Sequence, residues 1–164
     1  MRNFNFLIDL PVRSEWANVE LLRISILNCF TVIFADLQGC HTFAMIAGEL
    51  LENAIKYGQW DKAEPLLRLR VWGEPHHVSI EVENPIGDGS QPAVQELTRT
   101  LEWLDGFSDR ESAYRARLLD IAASPREQGR KSRLGLARIA YEGNCNVSAQ
   151  IMGDTVRVTA MMEL

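Results

Sequence analysis

Two side chains in the segment FAMIAGELLENAIKYG, Glu49 and Asn53, lie four residues apart and are of types that serve phosphate chemistry. On a helix advancing about 100° per residue, Glu49, Asn53 and Lys56 fall within about 60° of one another. Opposite them runs a wide apolar stripe of Phe43, Ile46, Ala47, Leu50, Leu51, Ala54 and Ile55. An amide oxygen such as that of Asn53 is a hard, neutral donor suited to magnesium, which keeps several waters of its own. It adds no negative charge beside a triphosphate. A carboxylate one turn earlier can orient or deprotonate the nucleophile that attacks a γ-phosphate. Spacing alone does not separate this arrangement from the commoner one, a solvated helix face.

Two further segments carry groups of the same kind. The strand-like run VSIEVEN ends at Asn84 and is followed by Pro85-Ile86-Gly87-Asp88-Gly89. The Asn84 carbonyl can accept from an amino group, though less strongly than a carboxylate; the same residues also read as a plain turn after a strand. Later, Lys131-Ser132-Arg133-Leu134-Gly135-Leu136-Ala137 leads into a short helix. The start of a helix offers unpaired N–H groups and a dipole that favours anions. Arg130, Lys131 and Arg133 either add charge for a phosphate or keep an exposed loop soluble. Cys29, Cys40 and Cys145 are odd in number and form no CxxC pair, and His41, His76 and His77 lack ligand spacing. Neither a disulfide framework nor a zinc site is expected, and buried thiols in a reducing cytosol fit better.

The elements that must position these groups follow from periodicity and breakers. Residues 3–10 predict a strand closed by Pro11. A helix follows, with Ser14 as its N-cap, Glu15 in its first turn, and Val19, Leu22, Ile26, Cys29, Phe30 and Ile33 on one face. A break at Gly39 leads to a second helix, His41 to Tyr57, ended by Gly58. Residues 66–72 and 78–84 alternate apolar and polar and predict a hairpin. Residues 93–123 predict helix in two pieces broken near Gly106, and 124–133 a polar loop. A short helix over 134–143 precedes a closing hairpin around Gly153-Asp154. This order lacks strict βαβ alternation. It predicts an α+β two-layer sandwich, with a mixed, mostly antiparallel sheet and helices packed on one face.

The string Glu49-Leu50-Leu51-Glu52-Asn53-Ala54-Ile55-Lys56-Tyr57-Gly58 closely resembles the N-box of GHKL (Bergerat-fold) ATPases. It is most similar to the ExxxNAxxH/Y version of histidine kinases and bacterial anti-sigma serine kinases. The resemblance implies a general-base role for Glu49 and a metal-ligand role for Asn53, with Lys56 and Tyr57 near the nucleotide. The family's DxGxG box would place its adenine-binding Asp where this chain has Asn84, and Gly87 and Gly89 depart from the family spacing. The second glycine box, GxGLGL, matches at Leu134-Gly135-Leu136, while Lys131 and Arg133 replace its first two glycines. The segment 91–133 lies where the family carries its mobile ATP lid.

At 164 residues the chain reads as a single domain, 1–164. With 17 Lys+Arg against 22 Asp+Glu its formal charge is −5, which argues against a general nucleic-acid binder. No signal peptide and no apolar run near the roughly 20 residues of a membrane span is apparent, so a cytoplasmic protein is expected. A stand-alone module is expected, without a phosphoacceptor helix before it or a transducer domain after it. By resemblance, stand-alone modules of this size bind ATP and Mg2+ and act as anti-sigma factors or serine/threonine kinases. Their partners are a STAS-type antagonist or a sigma factor, and a homodimer is possible. The alternative is an interaction module that keeps the fold and has lost turnover.

Overall fold

The computed structural model describes residues 6–34, 36–60, 66–123 and 134–164. Its first strand, β1 (Phe6–Val12), runs through Pro11 instead of stopping there. Among the described strands β1 pairs with β2 (Leu67–Glu74) alone, so its other edge needs no N–H from proline.

Helix α1 (Trp16–Ile33) follows, and its N-cap is Glu15, whose side chain makes no capping bond; Ser14 does not take that place. Helix α2 (Leu37–Tyr57) begins four residues before the expected His41, because Asp36 caps it. The Asp36 carboxylate accepts from the amides of Gln38 and Gly39 at 3.0 and 3.2 Å. Gly39 therefore sits inside the first turn, where a Cβ would approach that carboxylate to 2.9 Å. Asp36→Ala is expected to lower the unfolding free energy by about 1 kcal/mol, as measured by denaturant titration. At the other end Gly58 caps α2 in extended backbone, φ −71°. A side chain there would collide with Trp60, whose Nε1 donates to the Ile55 carbonyl at 2.9 Å.

Strands β2 (Leu67–Glu74) and β3 (His77–Pro85) form the expected hairpin, each extended by pairing of Gly73 with Val78 and Glu74 with His77. A 3-10 turn (Asp88–Ser90) enters helix α3 (Gln91–Asp105), and helix α4 (Arg110–Ala123) follows the break at Gly106. Helix α5 (Leu134–Glu142) leads into the hairpin of β4 (Cys145–Met152) and β5 (Thr155–Glu163). Gly153 takes φ +60° in its turn, a conformation that favours glycine. The sheet order is β1-β2-β3-β5-β4, and every described pairing is antiparallel.

Alternation divides the sheet into two faces. Leu67, Leu69, Val71, Val78, Ile80 and Val82 point into the core, where they meet Cys40, Phe43, Leu50 and Leu51 of α2. The opposite face carries a ladder of charges. Asp9 pairs with Arg68 at 2.8 Å and Arg70 at 3.2 Å, and Arg157 pairs with Glu81 at 3.3 Å and Glu83 at 2.7 Å. These cross-strand pairs offset the cost of burying the Glu81 carboxylate. The α+β two-layer sandwich with helices on one face is the architecture expected, with an antiparallel sheet.

Helix α1 packs on α2 through Val19, Ile26 and Phe30. Among the described helices it alone is long and apolar enough, by length and composition, to cross a membrane. Inspection for an unbroken apolar run misses this because Glu20 and Arg23, paired at 2.6 Å, interrupt the sequence. Its outward side leaves Leu21 and Val32 exposed. Of the thiols, Cys40 and Cys145 are buried as expected, whereas Cys29 is exposed.

Candidate functional site

Helix α2 stacks Glu49, Asn53 and Tyr57 at successive turns, because its apolar stripe is turned onto the sheet. Asn53 and Tyr57 line a cavity of about 260 Å³ whose floor is formed by Val82 and Val158 of the sheet. Asn84, at the end of β3, lines it too and is buried, its amide nitrogen donating to the Pro85 carbonyl at 3.2 Å. The first turns of α3 form another wall through Pro92, Leu97 and Thr100. Gly135 and Leu136 bring the beginning of α5 to the same space.

Gly135 is the point of closest approach. A Cβ built there would lie 2.7 Å from Glu49 Oε2 and 3.4 Å from Asn53 Nδ2. Glycine thus lets both side chains reach the first turn of α5, where unpaired N–H groups favour an anion. Glu49 borders the cavity without lining it. Its Oε1 accepts from Arg138 Nη1 at 3.0 Å, and Arg138 also pairs with Glu142 through Nε at 2.8 Å.

Burial pushes the Glu49 carboxyl above the usual glutamate range, and the Arg138 guanidinium opposes that shift. With the folded value raised, the group's contribution to stability is complete below the unfolded pKa of about 4.3. It is lost as pH rises through the folded value. Glu49→Gln is therefore expected to flatten the decline in melting midpoint as pH rises above the usual glutamate range.

The remaining residues singled out in the sequence are placed as follows. Lys56 is exposed, with Nζ 5.2 Å from the Tyr57 ring centre, and does not line the cavity. Gly87 also lies off it: a Cβ there would overlap the Gln59 carboxamide, and Gly89 is the glycine of that loop that lines the space. Leu134 opens α5 but is not a lining residue. Lys131 and Arg133 lie outside the described residues. Sequence reasoning missed Arg138. Its i,i+4 spacing to Glu142 was legible, but nothing local links it to Glu49, 89 positions earlier. The helix expected in the stretch 93–123 is present as α3, and periodicity alone does not show that its first turns wall the cavity.

The fold and site together define an α+β protein with a cavity at the junction of a central helix, two strand ends and a helix N-terminus. No family model matches the chain, and no curated protein matches its sequence. A solved structure is similar in fold: a chain of the SiaB-SiaC complex from Pseudomonas aeruginosa, with a TM-score of 0.66 and 14% identity. The match covers 96% of this chain and 89% of that one. At that identity the likeness concerns the fold alone.

Proposed function

We propose that the chain is an ATP-Mg-binding regulatory protein of the GHKL type that acts through a protein partner. The observation that carries this reading is the convergence of three separated segments on one space. Glu49 and Asn53 of α2 meet Gly135 of α5, and Asn84 stands across the same cavity. The donor set suits the ligand: Asn53 offers a neutral oxygen to magnesium, α5 offers backbone N–H groups to phosphate, and Asn84 offers an acceptor to an amino group. Bound Mg2+ would offset charge on the transferring phosphoryl group. Glu49 would take the proton of an attacking hydroxyl on Oε2, the oxygen not engaged by Arg138.

The partner reading draws on the structural neighbour having been solved as a two-protein complex and on the resemblance of the N-box. It makes a STAS-type antagonist or a sigma factor the partner, a serine or threonine the phosphoryl acceptor, and the cytoplasm the compartment. Calorimetric titration with ATP and Mg2+ tests it. Saturable binding at or below about 1 mM, some −4 kcal/mol, is expected, and no heat at that concentration overturns the reading.

A second reading, an interaction module of the same fold without turnover, is favoured by the cavity's size. Its 260 Å³ falls under the roughly 300–1,000 Å³ of ordinary ligand clefts. In that case the affinity for the partner is the same with and without nucleotide, and no phosphate is transferred.

A further inference from the structure

The ion pair at Glu49 is one end of a longer chain of contacts. Arg138 Nη1 holds Glu49 Oε1 at 3.0 Å, and Arg138 Nε holds Glu142 Oε2 at 2.8 Å. Glu142 Oε1 in turn accepts from the Tyr114 hydroxyl at 3.0 Å, and the Tyr114 ring stacks on Tyr141 with centres 5.0 Å apart. Tyr114 belongs to α4, Arg138, Tyr141 and Glu142 to α5 or its last turn, and Glu49 to α2. Three side chains, Arg138, Glu142 and Tyr114, therefore connect the carboxylate beside the cavity to a helix of the segment between the two glycine-containing boxes.

The geometry at Glu49 is asymmetric. Oε1 is taken by Arg138, and Oε2 has no partner among the described residues and faces Gly135. A guanidinium is planar and its donors are fixed in direction, so the pair restricts rotation of the carboxylate about its last torsion. Arg138 is itself restrained by Glu142 on the same helix face, one turn on. Without Arg138 a half-buried carboxylate would turn toward water or pair with the α5 N–H groups.

We propose that Arg138 is a positioning residue for Glu49, and that the Glu142–Tyr114 contact makes this positioning depend on where α4 sits. The catalytic consequence rests on the nucleotide reading above; the positioning itself does not. Movement of α4 away from α5 would release Glu142 and loosen Arg138. The orientation of Glu49 would then be lost with no group entering or leaving the cavity. Such a network gives α4 a physical route to the site.

Two measurements on the full chain test this. The first reads the side-chain carboxyl carbon of Glu49 by carbon-detected NMR, assigned by its disappearance in Glu49→Gln. The signal is expected to shift in Arg138→Gln, to shift in the same direction but less in Tyr114→Phe, and to stay near its wild-type position in Arg138→Lys. An unmoved signal in Arg138→Gln overturns the positioning role, and an unmoved signal in Tyr114→Phe overturns the link to α4. The second reads phosphoryl transfer from ATP-Mg. Arg138→Gln is expected to lower kcat on the order of 10- to 100-fold, the scale of a displaced catalytic group, with nucleotide Kd changed less than about twofold. Arg138→Lys should recover part of kcat. Equal kcat in wild type and Arg138→Gln sinks the proposal, as does a matching loss of nucleotide affinity. If the wild-type chain transfers no phosphate while the NMR signal moves, the turnover reading fails and the positioning role stands.

Discussion

Phe30→Ala is expected to lower the unfolding free energy by about 3–5 kcal/mol, a large share of the roughly 5–15 kcal/mol of a domain. The ring has no exposed surface. It lies between Phe43, at 4.4 Å between ring centres, and Phe34, at 5.5 Å, both nearly parallel to it. Phe43 belongs to α2 and Phe34 is the residue at which α1 ends, so the trio fastens α1 to α2. Removing the ring opens a cavity that two helices and the chain between them cannot close without sliding α1. The loss has a functional side, because α2 carries Glu49 and Asn53. Denaturant titration checks the magnitude; a change below about 1 kcal/mol would mean that α1 is not anchored through this stack.

The second large effect is expected at Asn53. Asn53→Ala should weaken ATP binding at least tenfold in the presence of magnesium, about 1.4 kcal/mol, and far less when the metal is chelated. The side chain is half-buried at the cavity wall and faces the first turn of α5. It makes no contact that holds the core together, so the melting midpoint should change little. Calorimetry with and without Mg2+ separates a metal ligand from a residue that shapes the pocket. Equal losses under both conditions would remove the metal role, and no loss in either would remove Asn53 from the site.

Several elements were legible locally. The stripe from Phe43 to Ile55 predicted α2 and turned Glu49 and Asn53 away from the core together. Alternation in LLRLRVW and VSIEVEN predicted β2 and β3, and Gly153-Asp154 predicted the last turn. Errors fell at boundaries. Gly39 predicts a break because a glycine usually ends or interrupts a helix, but the Asp36 cap reaches over it. Pro11 predicts a stop, which holds for a strand with two neighbours and not for this edge strand.

The amino-acid order by itself determined which groups could do phosphate chemistry and that two of them share a helix face, since both follow from residue type and a 3.6-residue period. Tertiary structure alone decided that Gly135 meets Glu49 and Asn53, that α3 walls the cavity, and that Arg138 holds Glu49. Those contacts join residues tens of positions apart. They arise because burying the apolar faces of α2, α5 and the sheet against one core fixes where the polar edges meet.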